Sequence, residues 1–496
     1  MMDGNFSAGT PAGDIEDVYP LSPLQQGLLF HTLLDPESGM YFEQLQWELR
    51  GDLDAELLRR AWQEALDRHA VLRTSIVSDE GEPLHVIRQG ITLPFATDDL
   101  RGATAREQEQ RLADLLAADR ARGFDPQTAP LMRLHLVRTG DESHVLVWSF
   151  HHLLLDGWSS ATLLGEIFSR YGELKSGATD VRPPVSRPYR DYVAWLRGRD
   201  LAAAEEYWRG ALAGFDTATP LGLDRSERGE DVAEGRAGHR LSIPQEVADR
   251  LAALPQSHRL TANTVAQAAW ALLLTRISGE HDVVFGATVS GRPAELPGVE
   301  NVVGLFINTL PVRVRIDEDE RVPDLLARLQ REQAAARDFE HTSLDAIRGW
   351  ADVPSGEPLF ESLFAYENYP LGAAPDNEES IGLEFVSKGA QAHTNYPLTA
   401  AIVPGKGLAL DLFYDRGRFE PAAITRLADA YVRLLSRLVD VPDTTVSHLS
   451  VLSDDECDRL VVGWNETAAA VRPGLVHEWV SGQPGGGVAV RFGDVA

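Results

Sequence analysis

The densest chemical pattern in the chain is His151-His152-Leu153-Leu154-Leu155-Asp156-Gly157. An imidazole gains or loses its proton near neutral pH, so a histidine held in place can serve as a general base or acid. In extended backbone, adjacent side chains point to opposite faces. His151 and His152 are therefore expected to differ in role, one facing a reaction channel and the other packing or hydrogen-bonding inside. Asp156 stands at a loop-to-helix junction, and Gly157 permits close backbone approach or a positive φ. A plain structural reading competes: Asp156 caps the helix, Gly157 eases the turn, and the histidines are a satisfied core pair. Other chemistries lack their patterns. The chain has no GxSxG, HExxH, CxxC, Walker or GxGxxG motif, and no metal site is indicated. Its one cysteine, Cys457, lies among acids in DDECDRL, which disfavours a thiolate.

The elements around the motif are legible. HVLVWSF (144–150) is nearly all apolar, as in a strand buried on both faces. Leu163, Leu164, Ile167, Phe168 and Tyr171 then recur at helical spacing. A strand–loop–helix setting holds side chains firmly. Met132, Leu134 and Leu136 alternate with polar residues, giving a half-buried strand. VLRTSIV and LHVIRQ flank Asp79-Glu80-Gly81 as a hairpin, and Asp54 caps the helical pattern AELLRRAWQEALDRH. Further on, ANTVAQAAWALLLTRI reads as a buried helix and DVVFGATV as a buried strand. Leu310, Val312, Val314 and Ile316 mark another strand, and helices are expected near 323–338 and 421–438. KSGATDVRPPVSRP (175–188) is a linker by composition. The chain thus reads as two mixed α/β halves of similar size.

The length, 496 residues, exceeds one ordinary core. The net charge of −29 repels phosphate backbones and anionic membranes, which argues against nucleic-acid and membrane-surface partners. No stretch reaches the roughly 20 apolar residues of a bilayer span. The N-terminus lacks the features of a signal peptide, so a cytoplasmic location is expected.

Several segments together match one family. SFHHLLLDGWS closely resembles the signature of condensation domains of nonribosomal peptide synthetases, members of the chloramphenicol acetyltransferase superfamily. LSPLQQGLLFHTL (21–33), RHAVLRTSI (68–76), YRDYVAWL (189–196) and VGLFINTLPVR (303–313) resemble companion motifs in the family's order. HTSLDAI (341–347) and YDRGRF (414–419) are looser matches. The resemblance runs from about 17 to 450, and WNETAAAV…VHEWV resembles the entry to an adenylation domain.

This resemblance implies an α/β fold of two acetyltransferase-like lobes in a V, a pseudo-dimer with a central tunnel. The division would be a lead over 1–16, lobes over 17–180 and 181–450, and a linker with the start of an adenylation domain over 451–496. It implies amide formation between an upstream carrier-bound acyl or peptidyl thioester and a downstream carrier-bound aminoacyl thioester. The domain itself would need no cofactor, because 4′-phosphopantetheine belongs to the carrier proteins. His152 matches the histidine beside the reacting groups, His151 its positioning neighbour, and Gly157 a point of backbone approach. Asp156 matches a structural ion-pair aspartate, with Arg73 of the second motif as its expected partner. Trp158, Ser159, Trp195 and Asn308 are substrate-channel candidates, while Ser22 and Gln25 are expected to be structural. Leu24 and Gly27 depart from the commonest first motif, and PLQQGLLFH resembles the subtype joining a donor that ends in a D-residue to an L-acceptor. An epimerisation domain shares the HHxxxD core, but DGWSS and the adenylation-like tail favour condensation. A non-catalytic recruitment platform for carrier or tailoring proteins is the alternative from another class.

Overall fold

The computed structural model describes residues 14–36, 39–78, 81–178, 187–225, 235–367, 381–391, 394–404, 407–469 and 474–481. Residues 1–13 of the expected lead over 1–16, the hairpin tip 79–80 and the middle of the expected linker, 179–186, lie outside them.

Strand β1 (Ile15–Pro20) leads into helix α1 (Pro23–Leu34). Ser22 and Gln25 form a reciprocal capping box there, and Pro23 supplies a preset φ at the first helical position. β2 (Phe42–Gly51) and α2 (Ala55–Arg68) follow, with α2 capped by Asp54 as its sequence predicts. β3 (Thr74–Val77) and β4 (Leu84–Arg88) form the expected hairpin, and β1 adds to β4 to make a three-stranded sheet. β5 (Phe95–Asp99), α3 (Ala105–Arg122), β6 (Met132–Arg138), β7 (Ser143–His151) and α4 (Gly157–Lys175) complete the first half.

The second half continues with α5 (Arg190–Arg197), α6 (Leu201–Leu212), β8 (Arg236–Ser242), α7 (Gln245–Ser257) and α8 (Ala262–Ser278). β9 (Asp282–Val289), β10 (Asn308–Arg315), α9 (Val322–Ala336) and α10 (Leu344–Trp350) come next. The last elements are β11 (Ser362–Tyr366), β12 (Leu383–Gln391), β13 (Leu398–Pro404), β14 (Leu408–Asp415) and α11 (Pro421–Leu438). A six-stranded sheet has the order β10-β9-β11-β13-β14-β8. Against it packs α8, buried along nearly its whole length, with Trp270 meeting Phe364 and Tyr431.

A five-stranded sheet, β12-β2-β7-β6-β5, carries the motif. One face, with Leu45, Trp47, Trp148 and Phe150, packs on Trp62 of α2 and Leu163 and Ile167 of α4. Val145 and Val147 on the other face pack on Leu112 and Leu115 of α3. Both faces are covered, which explains the unbroken apolar run of β7. One strand departs from the contiguous division into halves. β12 comes from the second half, yet pairs antiparallel with β2 from Leu383↔Gly51 to Gln391↔Gln44. Without it, β2 would expose a row of unpaired backbone groups. The described residues from 452 onward belong to a separate unit, in which Ser453 and Glu456 form a capping box on α12 (Asp454–Val461).

Candidate functional site

β7 ends at His151, and the following turn runs straight into α4. The two histidines do separate, as strand alternation requires. His151 is 3% exposed. Its Nδ1 accepts from the Leu153 N–H (3.1 Å), so the ring proton sits on Nε2 and is donated to Thr32 Oγ1 (3.1 Å). Thr32 in turn donates to the Leu28 carbonyl (2.8 Å) within α1. Burial, reinforced by neighbouring His152, pushes the His151 pKa down to about 3. This ring is therefore a neutral anchor between loop and helix.

His152 is only half-buried. Its Nδ1 lies 2.7 Å from the Leu155 carbonyl, which can only accept. Nδ1 thus carries a proton, so the neutral ring keeps its lone pair on Nε2, the tautomer that a base or hydrogen-bond acceptor requires.

Asp156 both caps α4 and ties the loop to distant chain. Its Oδ1 accepts from Ser159 N–H (2.7 Å) and its Oδ2 from Phe306 N–H (2.9 Å), while its own N–H donates to the Gly304 carbonyl (3.2 Å). Its guanidinium partner is Arg292, at 3.4 Å. The expected pairing with Arg73 is not formed. Arg73 follows α2 in a 3₁₀ turn and is directed to Glu16 of β1 and to the carbonyls of Leu66, Asp67 and Arg88. Arg292 also donates to the carbonyls of Val299 (2.5 Å) and Val302 (2.9 Å) and to Ser159 Oγ (2.8 Å). Its guanidinium lies 4.0 Å from the Phe306 ring centroid. The Asp156 and Arg292 side chains are 0% and 7% exposed, so both charges depend on these partners. Burial lowers the Arg292 pKa, opposed by Asp156.

Three other expectations change. Ser159 does not line a channel: it is fully buried, and its Oγ donates to the Gly304 carbonyl (2.6 Å) and accepts from Gly304 N–H (3.1 Å). Asn308 spends its amide on the carbonyls of Glu340 (2.8 Å) and Thr342 (2.7 Å), which fixes the chain before α10. Gly157 is the first helical residue of α4, so it does not supply a positive φ. Gly291 does supply one (φ 59°), and a Cβ there would stand 1.8 Å from the Phe306 carbonyl oxygen. Trp158 donates to the Glu300 carbonyl (2.8 Å). Trp195 stacks on Tyr192 and, with Arg199, Arg292 and His341, lines a cleft of about 790 Å³.

Gln25 does more for the site than its motif suggests. Fully buried, it donates to the Leu153 carbonyl (2.8 Å) from inside the HHLLLDG turn, and its Oε1 accepts from Ser22 N–H and His85 Nε2–H (both 2.9 Å). Sequence reasoning missed Arg292 and Thr32 altogether. The one local signal for Arg292 is an arginine between Gly291 and Pro293, directly after a buried strand.

The Condensation domain family model matches residues 15–461. One linear gramicidin synthase protein of Brevibacillus parabrevis is 42% identical over 468 residues, covering 94% of this chain and 9% of the relative. A second linear gramicidin synthase protein from the same organism is 43% identical over 469 residues, covering 94% and 6%. The chain thus spans less than a tenth of these relatives. Among solved structures, the first condensation domain of the calcium-dependent antibiotic synthetase, in complex with a substrate analogue, aligns with a TM-score of 0.71 at 19% identity, covering 88% of this chain and 100% of that one. A holo four-domain nonribosomal peptide synthetase bound to AMP and glycine aligns at 0.74 with 18% identity, covering 90% and 35%. At such identity the structural likeness establishes the fold alone.

Proposed function

Because the chain belongs to the condensation-domain family of nonribosomal peptide synthetases, we propose that it joins two carrier-bound substrates. An upstream carrier brings an acyl or peptidyl thioester, and a downstream carrier brings an aminoacyl thioester. The free amine attacks the upstream carbonyl and the lengthened peptide passes downstream. Residues 17–180 and 181–450 act as two lobes with β12 exchanged between them, the thioesters meet in a tunnel at the HHLLLDG turn, and the chain after 451 leads into an adenylation domain. The setting is cytoplasmic. The phosphopantetheine arms belong to the carriers.

The observation that carries this reading is the His152 tautomer: Nδ1–H is held on the Leu155 carbonyl and Nε2 is left as the acceptor. A thioester is already activated, so holding the two substrates in attack geometry supplies much of the rate. His152 Nε2 then accepts a proton from the attacking nitrogen, or a hydrogen bond that stabilises the tetrahedral intermediate. The first motif, PLQQGLLFH (23–31), supports a donor ending in a D-residue.

To test it, two carrier proteins are loaded with aminoacyl thioesters, mixed with the chain, and examined by mass spectrometry. The expected product is a dipeptidyl thioester, abundant with a D-donor and much scarcer with its L-enantiomer. Equal yields would overturn the subtype. Carrier binding without product from any donor would favour a recruitment platform.

A further inference from the structure

The face of the five-stranded sheet next to His152 also carries a carboxyl that the chemistry above leaves unused. β2 and β7 run antiparallel, with Phe42 opposite His151 and Glu43 opposite Phe150. Beyond the strand ends, His152 N–H donates to the Tyr41 carbonyl (2.8 Å). Alternation places Glu43 in the row of Leu45 and Trp47, facing Trp148 and Phe150, and His152 follows Phe150 in that row. Glu43 is 8% exposed. Among the described residues no hydrogen bond or ion pair meets its carboxyl. Burial pushes its pKa up, opposed by the neighbouring His152 ring. A buried carboxylate without a partner costs several kcal/mol. Such a group beside a reacting centre marks a place where a ligand supplies the missing charge.

We propose that Glu43 receives the ammonium group of the acceptor aminoacyl thioester and takes its first proton. The proposal rests on the amide-forming reading above. The acceptor arrives as an ammonium ion, and the Glu43 carboxylate accepts one proton to give a neutral carboxyl and a free amine. The nitrogen lone pair forms the C–N bond to the donor carbonyl carbon. His152 Nε2 takes the second proton from nitrogen as the C–S bond breaks, and returns it to the departing thiolate as a thiol. Glu43 then loses its proton to solvent, so one amide, one thiol and one proton result from one ammonium and one thioester. A carboxyl less acidic than usual suits this task, because its affinity for a proton lies closer to that of the amine.

The test is binding rather than turnover. Unreactive pantetheine thioether mimics of the acceptor, one with an α-amine and one with a hydroxyl in its place, are titrated calorimetrically into the full chain. The wild type is expected to bind the amine about tenfold more tightly, the scale of one charge-assisted hydrogen bond. Glu43→Gln should lose that preference while its hydroxyl affinity stays unchanged, and Glu43→Asp should keep part of it. If Glu43→Gln fails to fold, Glu43→Asp decides: an amine preference equal to wild type overturns the proposal. An undiminished preference in folded Glu43→Gln also overturns it, as does a Glu43 dependence seen with a donor mimic's amine instead. Because no product is needed, a Glu43-dependent preference in a chain that makes no peptide would refute the amide-forming reading and leave the ammonium site standing.

Discussion

The two ends of the HHLLLDG turn are built to opposite specifications. At the Asp156 end both carboxylate oxygens are bonded, and Arg292, Ser159 and the backbone of Gly304 and Phe306 close around them. At the His152 end the imidazole is held through Nδ1 alone, and the Glu43 carboxyl nearby has no partner among the described residues. The saturated end holds the chain still. The unsaturated end keeps its polar capacity for something that arrives. Under the proposed reaction neither works alone, since a base that wanders has no defined attack geometry, and a fully bonded cluster has nothing left to offer a substrate.

The comparison breaks most visibly at the saturated end. Asp156→Ala or Arg292→Ala strands one buried charge and should cost about 3–5 kcal/mol in chemical denaturation. Arg73→Ala also destabilises through its own partners. In double-mutant cycles, however, Asp156 should couple to Arg292 and be additive with Arg73. Coupling to Arg73 instead would contradict the pairing described. A smaller effect is expected one turn earlier. Thr32→Val leaves the His151 Nε2–H without its acceptor and should cost about 1–3 kcal/mol, again read from denaturation. No loss of stability would mean that this hydrogen bond does not hold the turn.

The smallest effect is a slope. Burial depresses His85 to about 3, as it does His151. Between the ordinary histidine value and about 3, the unfolded chain binds protons that the folded chain refuses, so stability falls as pH drops through that window. Each such histidine contributes at most about 1.4 kcal/mol per pH unit. His85→Phe keeps Gln25 Oε1 bonded to Ser22 N–H and should make the dependence of unfolding free energy on pH shallower between pH 6 and 4. An unchanged slope would show that His85 titrates normally in the folded chain.

What the sequence reveals about this arrangement is uneven, for physical reasons. Caps, hairpins and apolar periods are local, so Asp54, the β3–β4 hairpin and the buried α8 are readable directly. The opposite orientation of His151 and His152 follows from alternation alone. Arg292 lies 136 residues beyond Asp156, and no spacing rule reaches that far. Arg73 has motif position in its favour, but Glu16 and the Arg88 carbonyl claim its guanidinium. Glu43 shares the alternation phase of Leu45, Trp47 and Leu49, but spacing within one strand does not show what lies across from it. Only the pairing with β7 sets it opposite Phe150, in the row that His152 follows. β12 is invisible in sequence as a partner of β2, because pairing between strands so far apart in the chain leaves no local mark.

On the proposed reading the saturated end is architecture and His152 is chemistry. His152→Ala tests that division most directly when dipeptidyl thioester formation and thermal unfolding are measured on the same preparation. The expected result is a fall in the peptide-forming rate of about 10²–10⁴-fold with an unchanged unfolding midpoint. Wild-type turnover in the folded variant would contradict the division and reduce His152 to another anchor.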